Sequence, residues 1–168
     1  MAWPFAISAI LANLLFQTDT IMLSIFNTDE VVGWYGAAYR LVGGILLIPA
    51  VYVGAIYPVL SRMFVTAKRD LVDLYRKSMK ILATIALPIV IGVIMIAQRL
   101  INLLYGSEYQ NSVVVVQILA LMIGLVFVTT LLQHVLAATN RPLIDTKIVA
   151  VAVLLNVLFN VAFIPSFS

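Results

Sequence analysis

Residues 32–50 read VGWYGAAYRLVGGILLIPA and hold one formal charge, Arg40. How a guanidinium survives in so apolar a run depends on the solvent around it. Of the 168 residues, 64% are hydrophobic and 10% are charged, and the mean hydropathy is +1.13. Soluble domains are about half apolar and about a quarter charged. A chain of this length folding in water could not hide so much hydrocarbon, so its solvent is lipid. Lipid offers the backbone no hydrogen-bond partners, which requires each spanning segment to be a helix. The expected fold is therefore all-α and polytopic, with about five transmembrane helices.

Working outward from this stretch, polar clusters divide the chain into spans of approximately 4–26, 31–61, 81–98, 113–138 and 148–164, a single membrane domain over residues 1–168. Each is long enough to cross a core of about 30 Å at about 1.5 Å per residue. The second span is longer than the core needs and carries Gly43, Gly44, Pro49, Gly54 and Pro58. Proline removes a helical hydrogen bond and clashes with the preceding turn, so a bend is expected near Pro49 and an exit into water after Pro58. Pro88 and Gly92 suggest a second kink, although membrane helices also carry prolines without functional consequence.

Arg62, Lys68, Arg69, Arg76, Lys77, Lys80, Arg141 and Lys147 fall on one side of this arrangement, and Asp29, Glu30, Arg99 and Glu108 on the other. The positive-inside rule makes the basic side cytoplasmic, with the amino terminus inside and the carboxyl terminus outside. Trp34, Tyr35, Tyr105 and Tyr109 stand at the outer boundary as aromatic anchors, with Tyr75 near the inner one. Residues 68–80 set Leu71, Leu74, Tyr75, Ser78 and Met79 on one helix side, which suits a surface facing anionic lipid. The positive-inside bias alone would produce the same charges.

Composition also excludes functions. Zero Cys rules out disulfides and thiolate metal sites, and one His disfavours a histidine zinc site or a catalytic triad. No phosphate-binding glycine loop or metalloprotease motif is present. The net charge of +3 is clustered between apolar spans, which argues against nucleic acid as a partner. No cofactor, metal or catalytic residue is expected. The start, Met1-Ala2-Trp3-Pro4, lacks the basic region of a cleavable signal.

The intramembrane polar groups carry the functional reading. Asp19 lies eight residues before Asn27, and Arg40 ten beyond Glu30. At about 1.5 Å per residue both approach the midplane of a hairpin. Each alone costs about 2.5–3.5 kcal/mol at a helix centre on insertion scales, so pairing or a shared wet cavity is expected. A closed structural ion pair is the plainer alternative. Asn13, Gln17, Thr20 and Ser24 form one stripe of span one, from which Asp19 is turned by about 120° toward a neighbouring helix. Asn156 and Asn160 are an i,i+4 pair on span five. Asn13, Gln17, Asn156 and Asn160 join Asp19 and Arg40 as cavity candidates, with interhelical hydrogen bonding the alternative role. Gln117, Gln133 and His134 are weaker candidates.

The patches TDTIMLSIFNTDEVVGWYGAAYRLVGGILLIPAVYVGAIYPVLSRMF, LYRKSMKILATIALPIVIGV, LINLLYGSEYQNSVVVVQILAL and VLAATNRPLIDTKIVAVAVLLNVLFNVAFIPSFS follow one another as in a known family. The chain resembles the polysaccharide biosynthesis flippases of the multidrug/oligosaccharidyl-lipid/polysaccharide exporter superfamily, at the beginning of their carboxyl-terminal half. The resemblance implies a protein that moves lipid-linked oligosaccharide or a polysaccharide precursor across the cytoplasmic membrane by alternating access between two lobes. Asp19 and Arg40 stand where that family often carries charge. Arginine suits the phosphate oxygens of an anionic lipid-linked glycan. The implied partners are membrane lipids, that glycan and a missing amino-terminal lobe, in the same chain or a separate one; the chain reads as a fragment. A cation-coupled multidrug antiporter using Asp19, and a non-transporting membrane scaffold, are the rival readings. An enzyme is the poorest, since no catalytic constellation is legible.

Overall fold

The computed structural model describes residues 3–163. The expected end of the last span at Ile164 and the terminal residues 165–168 lie outside the described residues. Six α-helices follow in order: α1 (Trp3–Phe26), α2 (Asp29–Ile45), α3 (Leu47–Thr66), α4 (Lys68–Leu104), α5 (Ser112–Ala138) and α6 (Pro142–Phe163), with a short 3₁₀ turn at Ser107–Tyr109. Among the described residues there is no strand. Among the described residues four helical runs are long and apolar enough to cross a membrane, Asp29–Thr66, Lys68–Leu104, Ser112–Ala138 and Pro142–Ala162; Ile10–Phe26 within α1 is a shorter apolar helix. The chain is an all-α, multi-pass membrane protein.

Helix ends follow local chemistry. Asp29 and Glu30 occupy the first turn of α2, where negative charge complements the positive end of the helix dipole. The expected bend in the second span takes the form of a break at Leu46, between α2 and α3. Pro49 explains the position, because a proline ring crowds the carbonyl four residues back, here Ile45, the last residue of α2. Past the break, Pro49 sits in the first turn of α3, where a missing N–H costs nothing. The helix then continues through Pro58 as far as Thr66. Likewise α4 runs unbroken through Pro88 and absorbs residues 68–80 into one 37-residue helix. Asn140, at φ 55°, takes the left-handed conformation just past α5, and Pro142 starts α6.

Gly106 links α4 to the 3₁₀ turn at φ 85°, ψ 179°, a backbone region open essentially to glycine alone. Although nothing stands within 4 Å of the position a Cβ would take, Gly106→Ala is expected to cost about 1–3 kcal/mol of stability through backbone strain alone. A thermal melt in detergent checks this, with Gly124→Ala, inside α5 and equally free of neighbours, as the control expected to do no harm.

Two compact units divide the chain. The first comprises Met1–Gly36 with Asn140–Ser168, and the second Ala37–Thr139. In the first, α1 packs on α6. In the second, α3, α4 and α5 pack together around Val53, Leu82, Ala86, Val93, Ala97, Ile101, Val116, Ala120, Ile123, Phe127 and Leu131. The α5 members recur every three or four residues, the spacing of one helix face. Ala86, Ala97 and Ala120 are small enough for close backbone approach, the usual means of helix association where lipid removes the hydrophobic drive. Two polar links pin this unit: the Tyr52 hydroxyl donates to Ser78 Oγ at 3.1 Å, and Gln117 Nε2 to the Ile94 carbonyl at 3.4 Å.

Candidate functional site

The α1–α6 contact of the first unit carries the most concentrated polar chemistry among the described residues. Asn156 and Asn160, four apart on α6, present both amides to α1. Asp19 Oδ1 accepts from Asn156 Nδ2 at 2.9 Å and from Asn160 Nδ2 at 2.6 Å. Asn160 Nδ2 also donates to Asn156 Oδ1 at 3.3 Å, which ties the two amides together. On the other carboxylate oxygen, Oδ2, the Tyr35 hydroxyl donates at 3.3 Å. Asp19 is half-buried within the cluster.

Three of the sequence-predicted residues, Asp19, Asn156 and Asn160, are thus brought to one point. Tyr35 enters from outside the candidate set, since its position in the sequence marks it as an interfacial anchor. A signal for it existed: Asp19 and Tyr35 stand eight residues to either side of Asn27, so a hairpin turning there sets them level.

Asn13 and Gln17 occupy another side of α1, where both are exposed and line a shallow groove with Ile10, Leu14 and Ile21. Ser24, further along that stripe, turns its hydroxyl onto the Ile21 carbonyl at 2.7 Å. Arg40 is exposed on the part of α2 that belongs to the second unit, between buried Ala38 and Val42. Asp19 thus belongs to the first unit and Arg40 to the second. His134 donates from Nδ1 to the Thr130 carbonyl at 2.8 Å and meets the Tyr57 ring edge-on, with centroids 5.9 Å apart. Gln133 is exposed. Among the described residues no three His, Cys, Asp or Glu side chains stand together as a metal site.

Chemically, the Asp19 cluster is a carboxylate held by neutral donors, two amides and a phenol. An ionised carboxylate so placed keeps a net negative charge between two helices, with its oxygens satisfied. A side-chain amide can present oxygen instead of nitrogen by turning about its last torsion. The two amides, with the rotatable Tyr35 hydroxyl, can thereby present either donors or acceptors around Asp19.

Comparison with known proteins places the chain. It is 25% identical over 150 residues to the probable low-salt glycan biosynthesis flippase Agl15 of Haloferax volcanii, covering 89% of this chain and 32% of that protein. It is 26% identical over 153 residues to the probable flippase AglR of the same organism, with the same coverage. The chain thus spans about a third of the length of these curated relatives. No solved structure matches it. A family model described as polysaccharide biosynthesis protein matches residues 1–114, and with that match over most of its length the chain belongs to the polysaccharide biosynthesis protein family.

Proposed function

We propose that this chain is part of an exporter that carries a lipid-linked oligosaccharide or polysaccharide precursor across the cytoplasmic membrane by alternating access, acting as a transporter and not as an enzyme. The relatives' names, both flippases and one of glycan biosynthesis, support the activity. The basic segments between spans support an amino terminus inside and a carboxyl terminus outside. The remaining helices that enclose a substrate path come from further sequence of the same polypeptide or from a partner.

The observation that carries the reading is the hydrogen-bonded acid between two apolar helices, since intramembrane ionisable groups mark bundle interiors and aqueous pathways. Asp19 with Asn156, Asn160 and Tyr35 positions α1 against α6. Arg40, exposed within an otherwise apolar stretch, supplies the forked cation that matches a phosphate. Asn13 and Gln17 add hydrogen-bonding surface for a hydrated glycan. Arg40→Gln in the protein as its host makes it is expected to cut glycan export about tenfold to a hundredfold, the loss of one charge-assisted contact. Arg40→Lys should restore part of it. Undiminished export by the glutamine variant eliminates Arg40 as the phosphate ligand.

A second reading, a cation-coupled drug antiporter, draws support from the same cluster. Among the described residues the hydrogen-bond partners of Asp19 are neutral, which leaves its charge for a bound cation to meet. Sodium- or proton-driven efflux of a cationic dye would favour it over glycan export. A scaffold without transport would tolerate both substitutions.

A further inference from the structure

The basic end of α4 carries a feature that neither reading uses. At about 1.5 Å per residue the 37 residues of α4 reach about 55 Å, far beyond a hydrocarbon core of about 30 Å. The sequence marks the border: Lys77 and Lys80 are the last cations before an uncharged run, 81–98, that ends at Arg99. The headgroup boundary therefore lies beside Lys80.

A shallow groove straddles this border, lined by Lys77, Lys80, Ile81, Thr84 and Ile85. All five side chains are exposed, on the side of α4 turned away from its buried residues Ser78, Leu82 and Ala86. Asp73 stands one turn before Lys77, yet neither lysine makes an ion pair among the described residues. Thr84 is also unspent. Thr18, Thr66, Thr130, Thr139 and Thr146 turn their hydroxyls back onto the carbonyl four residues earlier. The Thr84 hydroxyl makes no hydrogen bond among the described residues. Its backbone carbonyl is freed too, because Pro88, four residues on, has no N–H to give.

We infer that this groove binds an anionic phospholipid of the leaflet at the basic end of α4. Lys77 and Lys80 hold the phosphate, Thr84 donates to the headgroup or glycerol oxygens about 6 Å deeper, and an acyl chain lies along Ile81 and Ile85. The order along the helix is the order within a bilayer lipid: cations, then a hydroxyl, with aliphatic side chains running down toward the midplane. Charge complementarity selects the anionic headgroup, and the aliphatic half of the groove selects a lipid over free phosphate.

The test reconstitutes the whole protein in nanodiscs holding equal phosphatidylglycerol and phosphatidylcholine, and counts retained lipids by native mass spectrometry after mild extraction. A basic residue in contact with an anionic headgroup is worth about fivefold in binding, so Lys77→Gln/Lys80→Gln should lower retained phosphatidylglycerol by about twenty-fivefold. Thr84→Val should lower it severalfold with both charges in place. Arg62→Gln/Arg69→Gln removes equal charge from exposed positions outside the groove and should change little. All five positions are exposed, and circular dichroism of each variant reports its fold. Equal losses in the two double variants would mean diffuse surface attraction and overturn the site. So would retention without headgroup preference, displacement by millimolar inorganic diphosphate, or stronger retention of a polyprenyl diphosphate, which would make the groove a substrate site.

Discussion

Asp19→Asn is expected to leave the protein assembled and to reduce glycan export at least tenfold. The substitution removes the charge and keeps the shape. Its retained oxygen still accepts from Asn156 and Asn160, and the new amide nitrogen faces the Tyr35 hydroxyl, which can rotate from donating to accepting. Yield and melting temperature should therefore stay close to those of the parent. Asp19→Leu provides the contrast. It strands two amides and a hydroxyl in a low-dielectric contact, at about 1–3 kcal/mol for each unsatisfied group, so folded yield should fall as well. Size-exclusion yield and cell-surface glycan, measured together, separate the two effects. Normal export by a well-folded Asp19→Asn variant would reduce the cluster to a packing device and remove the main support for a transport role at this site.

The largest purely structural effect is expected at Phe127. Its side chain is fully buried in α5, within the core shared by α3, α4 and α5. Phe→Ala in a soluble core costs about 3–5 kcal/mol from lost transfer energy plus a cavity. In a bilayer the exposed alternative is itself hydrocarbon, so the transfer part largely vanishes and the packing and cavity parts remain. About 3 kcal/mol is the reasonable figure, which for a chain of this size lowers the melting temperature by about 6–12 °C. Leu125→Ala, on the same helix but 66% exposed, should move it by a degree or two. Equal losses at both positions would show that α5 does not present Phe127 to a packed interior.

Much of this fold is legible in the residues alone. The helices come from the apolar runs, and the break at Leu46 from Pro49 acting on Ile45. Residues 68–80 read as a segment apart because their charges contrast so sharply with the uncharged run from Ile81 to Gln98. Nothing in their helix-forming character ends there, and α4 simply runs through both segments. The cluster is half legible. Asp19 announces itself by its charge, and Asn156 and Asn160 by their i,i+4 spacing, but these are separate observations. Arg40 is the nearest charge of opposite sign at similar depth, and hairpin depth is what the sequence offers for it. Depth along a hairpin says which residues are level; it does not say which way a side chain faces around its helix, and it says nothing of a helix more than a hundred residues away.

By itself, then, the sequence determined the solvent, the secondary structure and the depth of each polar group, because hydropathy and a rise of about 1.5 Å per residue are properties of single segments. Only the tertiary structure decided that α6 supplies two amides to Asp19 and that Tyr35 closes the cluster. Which helix neighbours which depends on side-chain fit between surfaces distant in the chain, and lipid, as apolar as the helices themselves, leaves that choice to packing and hydrogen bonds.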